Sequence, residues 1–152
     1  MRKIVFTRPD GGMSVVTPAL NTFGEAEGFT EASAEKRAWD KLPKDAINPR
    51  WADASEVPTD RSFRNAWGDS GKVVVNMPKA REIHKEHLRQ KRAPLLAALD
   101  IEYQRADERG DAALKAQIAA KKQALRDVTK HLAITAAKTP DELKAAIPDA
   151  LK

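Results

Sequence analysis

Apolar and polar positions alternate over short runs in the first half of the chain and recur at helical spacing in the second. Lys3-Ile4-Val5-Phe6-Thr7 and Ser14-Val15-Val16-Thr17 are β-branched or aromatic runs, with Arg8-Pro9-Asp10-Gly11-Gly12 between them. Proline presets φ for a turn and glycine takes positive φ without steric cost, so the pattern predicts a β-hairpin, ended by Pro18. Residues 19–29 have no period and read as a loop. Thr30 is a good N-cap with Glu31 in the first turn, and Ala34, Ala38, Trp39 and Leu42 share one helical face, closed by Pro43. Ile47, Pro49 and Trp51 alternate with polar neighbours, a short strand that Pro49 confines to a sheet edge. Asp60 is placed to cap a helical turn carrying Phe63 and Trp67, Gly68-Asp69-Ser70-Gly71 reads as a turn, and Lys72-Val73-Val74-Val75 as the last strand.

From Asn76 onward the chain is rich in Ala, Leu, Lys, Arg, Gln and Glu, all strong helix formers. With Asn76 as cap, a helix is predicted from Met77 towards Arg109, kinked or split at Pro94, which lacks a backbone donor and clashes with the preceding turn. Leu95, Leu96, Leu99, Tyr103 and Ala106 form its apolar stripe. Gly110 is a natural C′ residue, and Asp111 caps a following helix with Leu114, Ile118, Leu125 and Val128 on one face. So short a connection predicts an antiparallel helical hairpin, with Leu95, Leu99 and Tyr103 against Leu114, Ile118 and Leu125. Ile83 and Ile101 share a second face, five turns apart, expected to be covered by the sheet domain or by another chain. Thr139-Pro140-Asp141-Glu142 combines a capping box with Pro at N1 and starts a short terminal helix, apolar at Leu143, Ala146 and Ile147. The fold class is α+β. A small antiparallel sheet with one helix occupies residues 1–75, and the helical hairpin with its terminal helix occupies 76–152.

The 152 residues suffice for one domain, or for a small domain with a helical appendage. There is no cysteine, which removes disulfides, thiolate metal sites and a thiol nucleophile. The opening Met1-Arg2-Lys3-Ile4-Val5-Phe6 lacks the apolar core of a signal peptide, and no apolar run approaches the ~20 residues that span a membrane, so a cytoplasmic or virion location is expected. Net charge is +5, from both signs intermixed. The basic surplus gathers at Lys79, Arg81, Lys85, Arg89, Lys91 and Arg92, against only Glu82 and Glu86, a patch able to meet phosphate but read first as a solvated helix face.

Chemistry is sparse. His84 and His87, in Ile83-His84-Lys85-Glu86-His87-Leu88, match neither H-E-x-x-H nor H-x-x-E-H, and the adjacent Lys85 repels a cation. Both histidines are expected to be solvated, with no metal or cofactor bound. Pro9-Asp10-Gly11-Gly12 lacks the spacing of a phosphate loop, and Gly68-Asp69-Ser70-Gly71 lacks the second glycine of a nucleophile elbow. Acids lie mostly beside Lys and Arg, so no pair of carboxylates is set apart for acid–base work. An enzyme is not expected. Trp39, Trp51 and Trp67 read as the core of the first domain, with an interface anchor as the alternative.

Arg92-Ala93-Pro94-Leu95-Leu96-Ala97-Ala98-Leu99-Asp100 and Lys122-Gln123-Ala124-Leu125-Arg126-Asp127-Val128-Thr129 resemble the phage tail assembly chaperone-like family. In that family a basic residue precedes a Leu-Leu pair and an Asp, and a Gln-x-Leu-Arg-Asp run follows after a variable segment. Here Ile101 stands where the family often has Trp, and Lys121-Lys122 where it often has Tyr-Arg. The resemblance implies a structural or assembly protein of a tailed bacteriophage, either a tail or tail-fibre component or an assembly chaperone. Its partners would be other phage structural proteins or a second copy of itself, in the host cytoplasm or the virion. Ile83, Ile101, Lys85, Arg89, Arg92, Arg126 and Asp127 are the candidate contact residues, Asp127 being expected to meet an arginine of the first helix or to end its own. Two other readings stay open: nucleic-acid binding through residues 79–92, and inhibition of a host enzyme.

Overall fold

The computed structural model describes residues 1–19 and 30–152, which form two units, Met1–Asn76 and Met77–Lys152. Beyond Ala19, the loop expected over 19–29 lies outside the described residues. In the first unit, β1 (Lys3–Thr7) pairs antiparallel with β2 (Met13–Val16) on one side and β3 (Ile47–Ala52) on the other. The hairpin turn closes with Gly11 at φ +75°, where the Arg8 N–H donates to the Gly12 carbonyl at 2.7 Å. β3 is an edge strand. Its register against β1 shifts between Val5 and Thr7, opposite Asn48 (φ +48°) and Pro49, which has no N–H to give the ladder.

β1 has two buried faces, and each meets a different layer. On the face of Ile4 and its partner Trp51 lies α1 (Glu31–Asp40), whose Trp39 stacks on Trp51 with ring centroids 5.2 Å apart. Thr30 and Ser33 cap α1 reciprocally, side chain to backbone N–H in both directions. On the opposite face, Val5, Met13 and Ala52 pack with Val57, Trp67 and Val73. Trp67 and Val73 belong to β4 (Trp67–Asp69) and β5 (Val73–Val75), which form a separate two-stranded antiparallel sheet. This corrects two expectations: a single sheet, and Trp67 in a helical turn capped by Asp60. A short 3-10 turn at Arg64–Ala66 ends just before Trp67, and pairing of Trp67 with Val75 buries the indole. Burial of so large a side chain outweighs the weak local preference of its segment.

The second unit is helical: α2 (Met77–Glu108), α3 (Ala112–Arg126), α4 (Leu132–Ala136) and α5 (Pro140–Ala145), with 3-10 turns at Asp127–Lys130 and Asp149–Leu151. It holds sixteen Lys and Arg against eleven Asp and Glu, so the whole +5 of the chain resides here. α2 continues through Pro94, which is exposed. On the solvent side, water can take the carbonyl that proline leaves without a donor. Gly110 (φ +69°) ends the helix. Its N–H donates to Asp107, and the Asp111 N–H reaches back to Ala106, the paired bonds of a Schellman cap. Asp111 then accepts from the Leu114 N–H to start α3. Lys115 pairs with Asp107, Lys122 with Asp100, and Arg92 reaches the end of α3, so α2 and α3 run side by side in opposite directions.

The buried positions differ from the expected stripe. Ile118 and Leu125 of α3 and Ala106 of α2 are buried, but Leu95 (44% exposed) and Leu114 (38%) are not, and Leu99 and Tyr103 are half-buried. Two helices cover only a narrow seam of each other. The chain after α3 packs instead on the first part of α2: Arg81 donates to the Ala137 carbonyl, and His84 meets the Ala146 carbonyl. Leu88, Ile134 and Leu143 are fully buried.

Candidate partner-binding face

The two segments singled out as 92–100 and 122–129 lie against each other on α2 and α3. Arg92 Nη1 donates to the Leu125 and Arg126 carbonyls at 3.3 and 2.7 Å, two of the last acceptors of α3. Asp127 is the C-cap of α3 and has no arginine partner; it accepts from Gln123 at 2.7 Å and pairs with Lys130 at 2.8 Å. Those two groups hold its carboxyl below the usual range, Lys130 the more strongly. The first-helix arginine expected for Asp127 is therefore present, but it addresses the backbone one and two residues earlier.

Beside this contact, Leu95, Ala98, Leu99, Ala124, Leu125 and Ala150 line a groove of about 420 Å³, with Glu102 and Lys121 at its rim. The small side chains of Ala98 and Ala124 leave the space, and the half-exposed leucines supply its apolar surface. Sequence reasoning identified Leu95, Leu99 and Leu125 but took them for a closed seam. The alanines carried no signal by themselves, and Ala150 arrives only because the last turn folds back onto α3.

The remaining predicted residues do not converge. Lys85 pairs with Glu82 at 2.7 Å and Arg89 with Glu86 at 3.1 Å, one turn away on the same helix. With Arg92 engaged on carbonyls and Arg81 on Ala137, the 79–92 patch has much of its charge occupied locally. Ile83 is half-buried and Ile101 is 52% exposed, so the second face is not evenly covered. The expectation of two solvated histidines fails at His84, which is 7% exposed with Nε2 3.1 Å from the Ala146 carbonyl. A carbonyl only accepts, so Nε2 is the donor in this contact. His87 is exposed. Among the described residues no three His, Cys, Asp or Glu cluster as a metal site would require, and no helix is long and apolar enough to cross a membrane.

In the first unit, sequence reasoning missed two ionic clamps. Arg2 donates to both Glu35 carboxylate oxygens and lies 4.6 Å above the Trp51 ring. Arg50 of β3 forks onto Asp69 of β4 at 2.8 and 2.9 Å and also reaches Glu56. Glu35 and Asp69 are held below the usual carboxylate range, in each case chiefly by the arginine hydrogen bonds. Trp39 and Trp51 are half-exposed and wall a shallow pocket of about 330 Å³ with Arg2, Glu35 and Asp40. These charges are directed at one another, which makes the cluster a tie between helix and sheet. Compared with known proteins, the chain matches no family model, no curated protein and no solved structure.

Proposed function

We propose that this protein is a non-enzymatic structural or assembly protein of a tailed bacteriophage, acting through protein–protein contact at the α2–α3 face. One observation carries the reading. The two stretches that resemble the phage tail assembly chaperone-like family, 30 residues apart at Arg92 and Lys122, lie together as one surface. Arg92 of one stretch closes the helix formed by the other, and the leucines of both line a groove that the chain itself leaves open. An apolar groove between helices is a common seat for a partner's side chains. The local pairing of Lys85 and Arg89 favours this over nucleic-acid binding, since cations already neutralised release fewer counterions from a phosphate backbone. The partners are other phage structural proteins, met in the host cytoplasm during assembly or in the virion. Mass spectrometry of purified particles and of assembly intermediates tests this. Presence in particles means a tail or fibre component; presence in intermediates alone means a chaperone. Absence from both, with no phage structural protein recovered by pull-down, overturns the reading.

A further inference from the structure

We infer that the groove between α2 and α3 receives one amphipathic helix of the partner, with apolar side chains on Leu95, Leu99 and Leu125 and acidic side chains toward Lys91, Lys121 and Arg126. The inference rests on the protein–protein reading above and adds the chemistry of the occupant. The floor is aliphatic and the walls are helical, so the groove suits side chains presented at i, i+3, i+4 and i+7. The lining holds one cation, Lys121, and one acid, Glu102, and the flanking Lys91 and Arg126 tip the balance to positive. Among the described residues Lys91, Lys121 and Arg126 make no ion pair, while the neighbouring Lys122 is held by Asp100 at 2.5 Å. Lys91 stands one helical turn before Leu95 on the same face, Arg126 directly follows Leu125, and Lys121 lines the groove itself. The unit's full +5 extends the same field.

This charge decides among occupants. A second copy of the chain would bring the same cations to the same place, and like charges set against one another at an interface are unfavourable. A nucleic acid would find cations for its phosphates, but an aliphatic floor without an aromatic ring on which to stack a base. An acidic amphipathic helix satisfies both the floor and the rim.

Two synthetic helical peptides of about four turns test this by fluorescence anisotropy against the full chain. They share leucines at i, i+3, i+4 and i+7 and differ only in flanking Glu or Lys. The Glu peptide should bind at least about tenfold more tightly at low salt, with the preference shrinking as salt rises. Ala98→Trp should fill the groove and abolish binding, with helicity and thermal midpoint unchanged. Should that variant misfold, Leu95→Ser, at an exposed position, should weaken binding in a folded chain. Lys91→Glu with Arg126→Glu should reverse the preference. Binding of neither peptide, equal binding of both, or indifference to the groove variants overturns the inference. So does a concentration-dependent dimer broken by Leu95→Ser, or displacement of the Glu peptide by an oligonucleotide. A phage partner that is recovered equally well by the Ala98→Trp chain removes the groove and leaves the proposed function standing. A groove that takes the Glu peptide, in a protein absent from particles and intermediates, does the reverse.

Discussion

The two units solve the same problem of burying a small core in different ways. Every Trp and Phe of the chain lies in Met1–Asn76, while Met77–Lys152 has one aromatic residue, Tyr103. The first unit uses its large side chains on both faces of β1 and ties the layers with Arg2–Glu35 and Arg50–Asp69. It carries eleven basic and eleven acidic residues, including those at 20–29. The second unit builds with Ala, Leu and Ile on helices, bears all the net charge, and leaves Leu95, Ile101, Leu114 and Leu132 exposed, the last at 82%. The first unit also exposes Met1, Ile47 and Val74, so the two units differ less in exposed apolar surface than in net charge, which is zero in the first and +5 in the second. The excess of positive charge is what the proposed interaction draws on in the helical unit.

The largest expected effect is in the first unit. Trp67→Ala should destabilise it by about 3–5 kcal/mol, because a buried indole leaves a large cavity. Trp67→Phe should cost much less, since the buried indole N–H has no acceptor among the described residues and no hydrogen bond is lost. Urea denaturation followed by tryptophan fluorescence measures the first unit alone, since Trp39 and Trp51 remain.

Next comes a contrast inside the second unit. Ile118→Ala should cost about 2–5 kcal/mol and Leu99→Ala under about 2, because Ile118 is buried and Leu99 only half-buried at the groove edge. Denaturation followed at 222 nm, where helices dominate, checks the order. Equal losses would mean that the groove is part of a closed core, and the comparison of the units would fail.

Acid should loosen the first unit next. Glu35, Glu56 and Asp69 have folded values below the usual carboxylate range, so the unfolded chain takes up protons first. The stability they contribute is present above that range and is lost as pH falls through it towards the lowered folded values. The tryptophan-detected thermal midpoint should therefore fall as pH drops below about 4. Arg50→Met should flatten that fall by removing the partner of Asp69 and Glu56. An unchanged pH profile would show that the clamp does not hold the two sheets.

The smallest effect belongs to the basic helix. Lys85→Glu with Arg89→Glu should change stability by no more than about 0.5 kcal/mol, as exposed i,i+3 pairs contribute little. Partner binding should survive this double variant while the groove variants lose it. Loss of binding on Lys85→Glu with Arg89→Glu would move the contact surface from the groove to the 79–92 face.

Local chemistry in the sequence determined several element ends. The caps at Thr30, Asp111 and Thr139, the glycine stop at Gly110 and the edge position of Pro49 each depend on one residue and its near neighbours. The helical face of α3 was legible too, because Ile118 and Leu125 recur at a fixed angle. Only the tertiary structure decided that Trp67 leaves its helical turn for a second sheet, that His84 turns inward onto the Ala146 carbonyl, and that Arg2 and Arg50 find acids 33 and 19 residues away. It also decided that Leu95 and Leu99 border an open groove. An amphipathic stripe states which side chains would gain by leaving water, but the number of neighbouring elements that arrive to cover them depends on the path of the rest of the chain. Here the segment after α3 packs on the first half of α2, and the leucines beyond Arg92 are left with a single helix beside them and the last turn at their edge.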